Sequence, residues 1–148
     1  MEVAQIYCEY FEKKLEIIRE KEKKLKYSSF SDINPYGEKS VFHYRKLLSY
    51  LESELSKATE KNLQDYTTII TIKLHVSRIL SKLIYKDYKK RVDSLHKALI
   101  IYEEVYKSLQ SQNSEYKENL NEQLNICLEM IHLLPVKITK VNNGEEIF

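Results

Sequence analysis

The fold is decided by one stretch, residues 69–84, whose sequence is IITIKLHVSRILSKLI. Apolar side chains recur in it at spacings of three and four residues, which predicts an α-helix. Further apolar residues, including Ile70, Leu74 and Ile84, extend the apolar surface round much of the cylinder. A helix with so large an apolar surface packs on more than one side. We therefore predict that this third helix is the central element of the domain.

The composition favours long helices with few connections. The chain has 148 residues, of which two are Gly and two are Pro. Average usage would give roughly 18 Gly and Pro together. These residues supply most tight turns and strand ends. A β-sandwich, a β-barrel and a Rossmann unit are therefore strongly disfavoured, and an all-α fold is predicted.

Apolar periodicity along the chain predicts about five long helices. A loop is predicted from Tyr27 to Glu38, where Ser, Asn, Pro and Gly are frequent. Pro135 is expected to end or kink the last helix, because it lacks a backbone N–H. The predicted helices are Glu2–Lys26, Lys39–Lys57, Leu63–Ile84, Asp87–Gln110 and Ser114–Leu134.

Helices of about 20 residues joined by short linkers pack as antiparallel neighbours, either in a closed bundle or in stacked hairpins. Ala98 and Tyr102 have the small-then-aromatic spacing of a tetratricopeptide B helix. We therefore predict a tetratricopeptide-like α-solenoid of antiparallel helical hairpins, in which helices one and two and helices three and four form the pairs. One domain is expected over residues 1–141 and a loose tail over residues 142–148.

The charge balance, the apolar runs and the cysteines argue against several classes of protein. With 24 basic and 22 acidic residues the chain has a net charge of +2, too balanced for a dedicated nucleic-acid binder. No apolar run is long enough to span a membrane. Cys8 and Cys127 make no metal or disulfide framework, and each is expected to be a buried thiol. The expected compartment is the reducing cytosol.

Little in the sequence points to catalysis. Glu129 and His132 form a Glu-x-x-His unit of the kind found in di-iron helical bundles. Such a site needs a second copy, and the nearest candidate, Asp93 with His96, has the shorter acid. A pair on the surface is the simpler interpretation. No phosphate-binding loop is present, and no nucleophile is paired with a base. We expect no enzyme, no metal and no cofactor.

Two polar stripes are candidate partner-binding surfaces. The first is an acidic stripe on the predicted first helix and consists of Glu9, Glu12, Glu16 and Glu20. It lies opposite an apolar face that is expected to include Val3, Ile6 and Tyr10. The second follows one side of the third helix and consists of Thr71, His75, Arg78 and Lys82. The alternative for both is an ordinary solvated helix face. A basic cluster opens the fourth helix, where the helix dipole disfavours cations: Lys86, Lys89, Lys90 and Arg91.

Three segments resemble the C-terminal end of the kinesin-binding protein family. They are KLHVSRILSK at residues 73–82, SLHKALIIY at residues 94–102 and LEMIHLLPVKI at residues 128–138. The resemblance is specific over residues 69–138 and looser over the first two helices. An Asp-Pro-Lys turn expected between the two middle helices is replaced by Lys86, Asp87 and Tyr88.

The resemblance implies a tetratricopeptide-like solenoid whose relatives bind kinesin motor domains and keep them off microtubules without catalysis. It also implies a cytoplasmic, cytoskeleton-associated protein. The charge balance and the absence of a long apolar run predict that the chain binds neither nucleic acid nor membrane. A motor surface that binds acidic tubulin is basic, so the acidic stripe is the expected contact. The alternatives are a generic tetratricopeptide-like adaptor for extended peptides and, more remotely, a helical-bundle metal protein.

Overall fold

The computed structural model describes residues 2–22, 24–57, 63–111, 120–145 and 148. All the regular elements within these ranges are α-helices, which confirms the all-α prediction. They are α1 (Glu2–Lys21), α2 (Tyr27–Lys57), α3 (Leu63–Lys82), α4 (Tyr88–Ser111) and α5 (Asn121–Asn142).

The helices stack in chain order. α1 packs on α2, α2 on α3, α3 on α4 and α4 on α5, which is the arrangement of stacked helical hairpins. α3 lies between α2 and α4 and is central, as predicted, with Ile72 and Ile79 completely buried. Ala98 and Tyr102 of α4 are also buried, as their tetratricopeptide-like spacing indicates.

The predicted loop from Tyr27 to Glu38 is wrong, because these residues form the first part of α2. Pro35 is exposed within the helix and forgoes one helical hydrogen bond. Helical periodicity through the segment was already visible in its apolar and small residues. The buried face of α2 carries Phe30, Ile33, Gly37, Val41 and Tyr44.

α1, α2 and α3 come close together at Gly37. A Cβ atom at this position would lie 2.9 Å from Leu83 Cδ2, 3.2 Å from Phe11 Cδ2 and 3.3 Å from Ile79 Cγ2. Such distances are shorter than ordinary van der Waals contacts between carbon atoms. The residue that suggested a turn is therefore required for close packing within a helix.

The inward face of α1 also differs from the prediction. Val3, Ile6 and Tyr10 are exposed. The buried face consists of Ala4, Cys8, Phe11 and Leu15. Small side chains on this face let α1 approach α2 closely enough for Ser40 Oγ to donate a hydrogen bond to the Ala4 carbonyl, at 2.7 Å.

Side chains from α4 cap the C-terminal end of α3. Arg91 Nη1 donates to the carbonyls of Ser81 at 2.8 Å and Leu83 at 2.6 Å, and Ser94 Oγ donates to the Leu80 carbonyl. The last carbonyls of a helix lack partners within it, so these bonds satisfy groups that burial would otherwise leave unpaired. Arg91 is only 1% exposed. It therefore belongs to the core and not to a basic surface cluster.

Asn34 of α2 holds the same end of α3 from the other side. Its Nδ2 donates to the buried Ile84 carbonyl at 2.6 Å. We expect Asn34→Ala to lower the free energy of unfolding by about 1 kcal/mol, measured by urea denaturation. The loss is modest because Asn34 Oδ1 is buried without a hydrogen-bond partner among the described residues. Its burial costs free energy, and alanine removes that cost together with the hydrogen bond. Asn125→Ala, at an exposed helical position, is the control, and an equal loss there would contradict the prediction.

Some helix ends differ from those predicted from the sequence. α1 ends at Lys21, before the predicted Lys26, and α5 continues through Pro135 to Asn142. Gly144 follows with a φ of 71°, and its N–H donates to the Val141 carbonyl. The predicted start of the fifth helix at Ser114 lies outside the described residues. The division into a domain of residues 1–141 and a tail stays a prediction.

Candidate interaction surface

An open groove lies between α1 and α5, and the C-terminal part of α3 forms its floor. This α1–α5 groove encloses about 850 Å³. Apolar side chains follow the α5 side, where Leu133 is 48% exposed. The apolar residues of the groove are Leu15, Met130, Leu133 and Leu134. An exposed apolar strip with charged walls is suited to binding another polypeptide.

The α1 wall of this groove carries four carboxylates and two cations, Lys13 and Arg19, so acidic groups are in excess along it. Glu9, Glu16 and Glu20 are exposed along it, one or two turns apart. Glu9 accepts a hydrogen bond from the Gln5 amide at 3.1 Å. Glu16 and Glu20 have no ion pair among the described residues, so their charges are available to a partner.

Glu12 differs from its neighbours in the acidic stripe, because it joins α1 to α3. Its Oε1 accepts from Arg78 Nη2 at 2.7 Å, and its Oε2 accepts from Arg78 Nε at 2.9 Å. Lys82 Nζ lies 2.6 Å from Oε2, and Cys8 Sγ donates to Oε1 at 3.1 Å. The two predicted stripes therefore meet at Glu12, Arg78 and Lys82, and with Cys8 these residues form what we call the Glu12 cluster.

The Glu12 cluster fixes the protonation of its members. Burial alone would raise the pKa of Glu12, but hydrogen bonds from Arg78, Lys82 and Cys8 outweigh it and hold the pKa at about 2. Burial and the Glu12 carboxylate raise the pKa of the Cys8 thiol to about 11. At neutral pH the Glu12 carboxyl is therefore ionised, and the Cys8 thiol is protonated and poorly nucleophilic.

Thr71 and His75, the other members of the α3 stripe, lie outside the groove lining. Thr71 Oγ1 donates to the Thr67 carbonyl of its own helix at 2.9 Å. The His75 ring stacks on Tyr44 with centroids 5.5 Å apart. Burial, and then the positive charge of Arg78, lower the pKa of His75. Two residues of the α3 stripe, Arg78 and Lys82, therefore pair with Glu12 of α1, and of the four stripe residues only Lys82 belongs to the groove lining.

The α5 side of the groove was not among the surfaces predicted from the sequence. The last helix was expected to end or kink at Pro135, so Lys137 was not placed on one continuous helical face with Met130 and Leu133. Met130, Leu133 and Lys137 recur at helical spacing and line the groove together. This spacing would have predicted one continuous helical face if the helix had been extended through Pro135.

Reactive groups are scarce in the described parts of the chain. Within them, no three His, Cys, Asp or Glu side chains come together as metal ligands, and Glu129 and His132 are both exposed. Cys127 is a buried free thiol like Cys8, and burial raises its pKa to about 11. Among the described residues, no helix is long and apolar enough to cross a membrane.

A stack of helical hairpins with an open, charged groove defines a protein-interaction domain. Within that class, the chain belongs to the family described as KIF-1 binding protein C terminal, which matches residues 1–141. The resemblance seen in the sequence is thereby confirmed.

A curated relative named KIF-binding protein, from Danio rerio, is 27% identical over 143 residues. The similarity covers 96% of this chain and 22% of the relative, so the chain spans about a fifth of the length of the relative that it matches. No solved structure is significantly similar to the chain.

Proposed function

We propose that this chain is a non-catalytic module that binds kinesin motor domains through the α1–α5 groove. In this proposal it acts in the cytoplasm and keeps the motor from its microtubule track. The family description and the name of the relative both point to kinesins as partners. The observation that carries the proposed location is the excess of carboxylates over cations on the α1 wall of the groove.

Charge complementarity supports this location. Tubulin is acidic, so the motor surface that attaches to it is basic, and a competing protein must present acidic groups. The Glu12 cluster pairs Arg78 and Lys82 with a carboxylate, which partly neutralises both cations. Glu9, Glu16 and Glu20 remain exposed beside them. They form the part of the groove best suited to a basic protein surface.

The test is a triple charge reversal that leaves Glu12 intact. We expect Glu9→Lys, Glu16→Lys and Glu20→Lys together to weaken motor binding by about tenfold, mainly through slower association. Binding is measured by pull-down and by surface plasmon resonance, with a panel of kinesin motor domains, in the presence and absence of microtubules.

A matched control separates the groove from overall charge. Asp32→Lys, Glu103→Lys and Glu104→Lys together change the net charge equally at exposed positions outside the groove. Motor binding by this control should equal that of the unmodified chain. Equal affinities of both triple variants for the motor would show that the acidic wall is not the contact.

The apolar strip on α5 favours one other candidate function, an adaptor that captures an extended peptide. Met130 and Leu133 would then hold the apolar side chains of the peptide. Competition distinguishes the two functions. A short apolar peptide that displaces a bound motor domain would favour the adaptor, and a motor domain that binds undisturbed would favour the motor-binding module.

A further inference from the structure

A second groove lies on the other side of α3, between α2 and α4. This α2–α4 groove encloses about 630 Å³. Val41, Leu80 and Leu83 are buried at its base, and the Phe42 ring stands at its edge, 54% exposed. Lys46 Nζ lies 4.4 Å from the centre of that ring. The groove thus offers an aromatic surface with a cation above it.

The α2–α4 groove has more cations than carboxylates. Both carboxylates have a partner within the chain, whereas most of the cations form no ion pair in the part of the chain that the structure describes. Glu38 accepts a hydrogen bond from the Tyr85 hydroxyl at 2.8 Å. Asp93 pairs with Lys97 at 3.0 Å. The remaining cations of the lining have no ion pair among the described residues, and they are Arg45, Lys46 and Lys90.

The geometry points to a second docking site, in the α2–α4 groove, for an acidic segment of another protein that carries an aromatic or aliphatic side chain. Carboxylates of the segment pair with Arg45 and Lys90 from the two helix walls. The apolar side chain packs on Phe42. This site is independent of the α1–α5 groove, since the two grooves lie on opposite sides of α3.

An acidic polypeptide fits this groove better than a nucleic acid does. Phe42 is the only exposed aromatic in the described lining, and single strands are held by successive aromatic platforms. Glu38 and Asp93 stand within the lining and repel a continuous phosphate backbone. A peptide, in contrast, can place its carboxylates selectively and bring an apolar group as well.

The experiment uses a fluorescent peptide of Glu and Asp with a Phe or Leu at every third position. Fluorescence anisotropy measures its binding to the full chain. We expect Arg45→Glu with Lys90→Glu to weaken binding by about tenfold or more, and Phe42→Ala by a smaller factor. Added salt should weaken binding to the unmodified chain, because the charged walls are exposed. All three residues are exposed, so the variants should retain their helical circular dichroism.

Three comparisons decide the outcome. Lys24→Glu with Lys107→Glu gives the same net charge as the groove variant at exposed positions outside it, and it should bind the peptide normally. Equal loss in both double variants would overturn the site, as would the absence of peptide binding to the unmodified chain. A single-stranded oligonucleotide of equal charge should bind more weakly than the peptide. Equal or tighter binding of the oligonucleotide would overturn the choice of an acidic protein segment.

Discussion

Gly37→Val is expected to lower the free energy of unfolding by about 3 kcal/mol, the upper end of the usual cost of overpacking a core. The position has no room for a side chain, since a Cβ there would lie 2.9 Å from Leu83 Cδ2 and 3.2 Å from Phe11 Cδ2. Valine adds two methyl groups beyond that Cβ. To accept them, α2 would have to move away from α1 and α3. Urea denaturation followed by circular dichroism measures the loss.

Gly144 provides the matched control, because its constraint is conformational and not steric. Its φ is 71°, and no atom lies within 4 Å of a Cβ built at this position. Gly144→Ala should cost about 1 kcal/mol for the left-handed backbone and disturb no packing. If Gly37→Val were no more destabilising than Gly144→Ala, the close approach of three helices at Gly37 would be disproved.

Glu12→Gln is expected to cost about 2 kcal/mol at neutral pH, a value between those of exposed and fully buried ion pairs. The Glu12 side chain is 24% exposed and forms ion pairs with both Arg78 and Lys82. Without its charge, these two cations would repel each other beside a neutral amide. Thermal and chemical denaturation measure the loss. Glu16→Gln, one turn further along α1 and exposed, should change stability by less than about 0.5 kcal/mol.

The stability difference between the unmodified chain and Glu12→Gln should depend on pH, which provides a second test. The pKa of Glu12 is about 2 in the folded chain, below the ordinary value of 4.5 expected after unfolding. The carboxylate therefore stabilises the fold above the unfolded-state pKa, and this contribution is lost as the pH falls towards the folded-state pKa. The gap in stability between the unmodified chain and Glu12→Gln should shrink by about half at about pH 3. A gap that stays constant with pH would mean that the ion pairs do not stabilise the fold.

The sequence predicted the two middle helices well because their periodicity is strong. α3 begins at the predicted Leu63, and α4 lies within one residue of the expected range at each end. The segment from Tyr27 to Glu38 was misjudged because its Ser, Asn, Pro and Gly content was weighed above its helical periodicity. Its Asn34 and Gly37 serve partners far away in the chain, at Ile84 and Leu83. Composition alone does not distinguish a residue used for a turn from one used for close packing.

The candidate site residues also show that sequence spacing alone does not reveal the role of a residue. Glu12 is chemically identical to Glu9 and Glu16, and all three follow the same spacing. Only the position of α1 against α3 makes Glu12 an ion-pair partner and leaves the others exposed. The inward face of α1 carries Ala4 and Cys8 in place of Val3 and Ile6 for the same reason. Hydrophobicity alone does not show which of two apolar faces a neighbouring helix can approach more closely.

The bonds at the C-terminal end of α3 also determine how the stack can bend. Hydrogen bonds are directional, so small displacements of one partner weaken them. Asn34 and Arg91 fasten this end of α3 from both sides. We expect thermal bending to pivot there, while the far ends of α2 and α4 swing. Both grooves adjoin this pivot, so either partner would meet walls already in place and spend little of its binding free energy on ordering them.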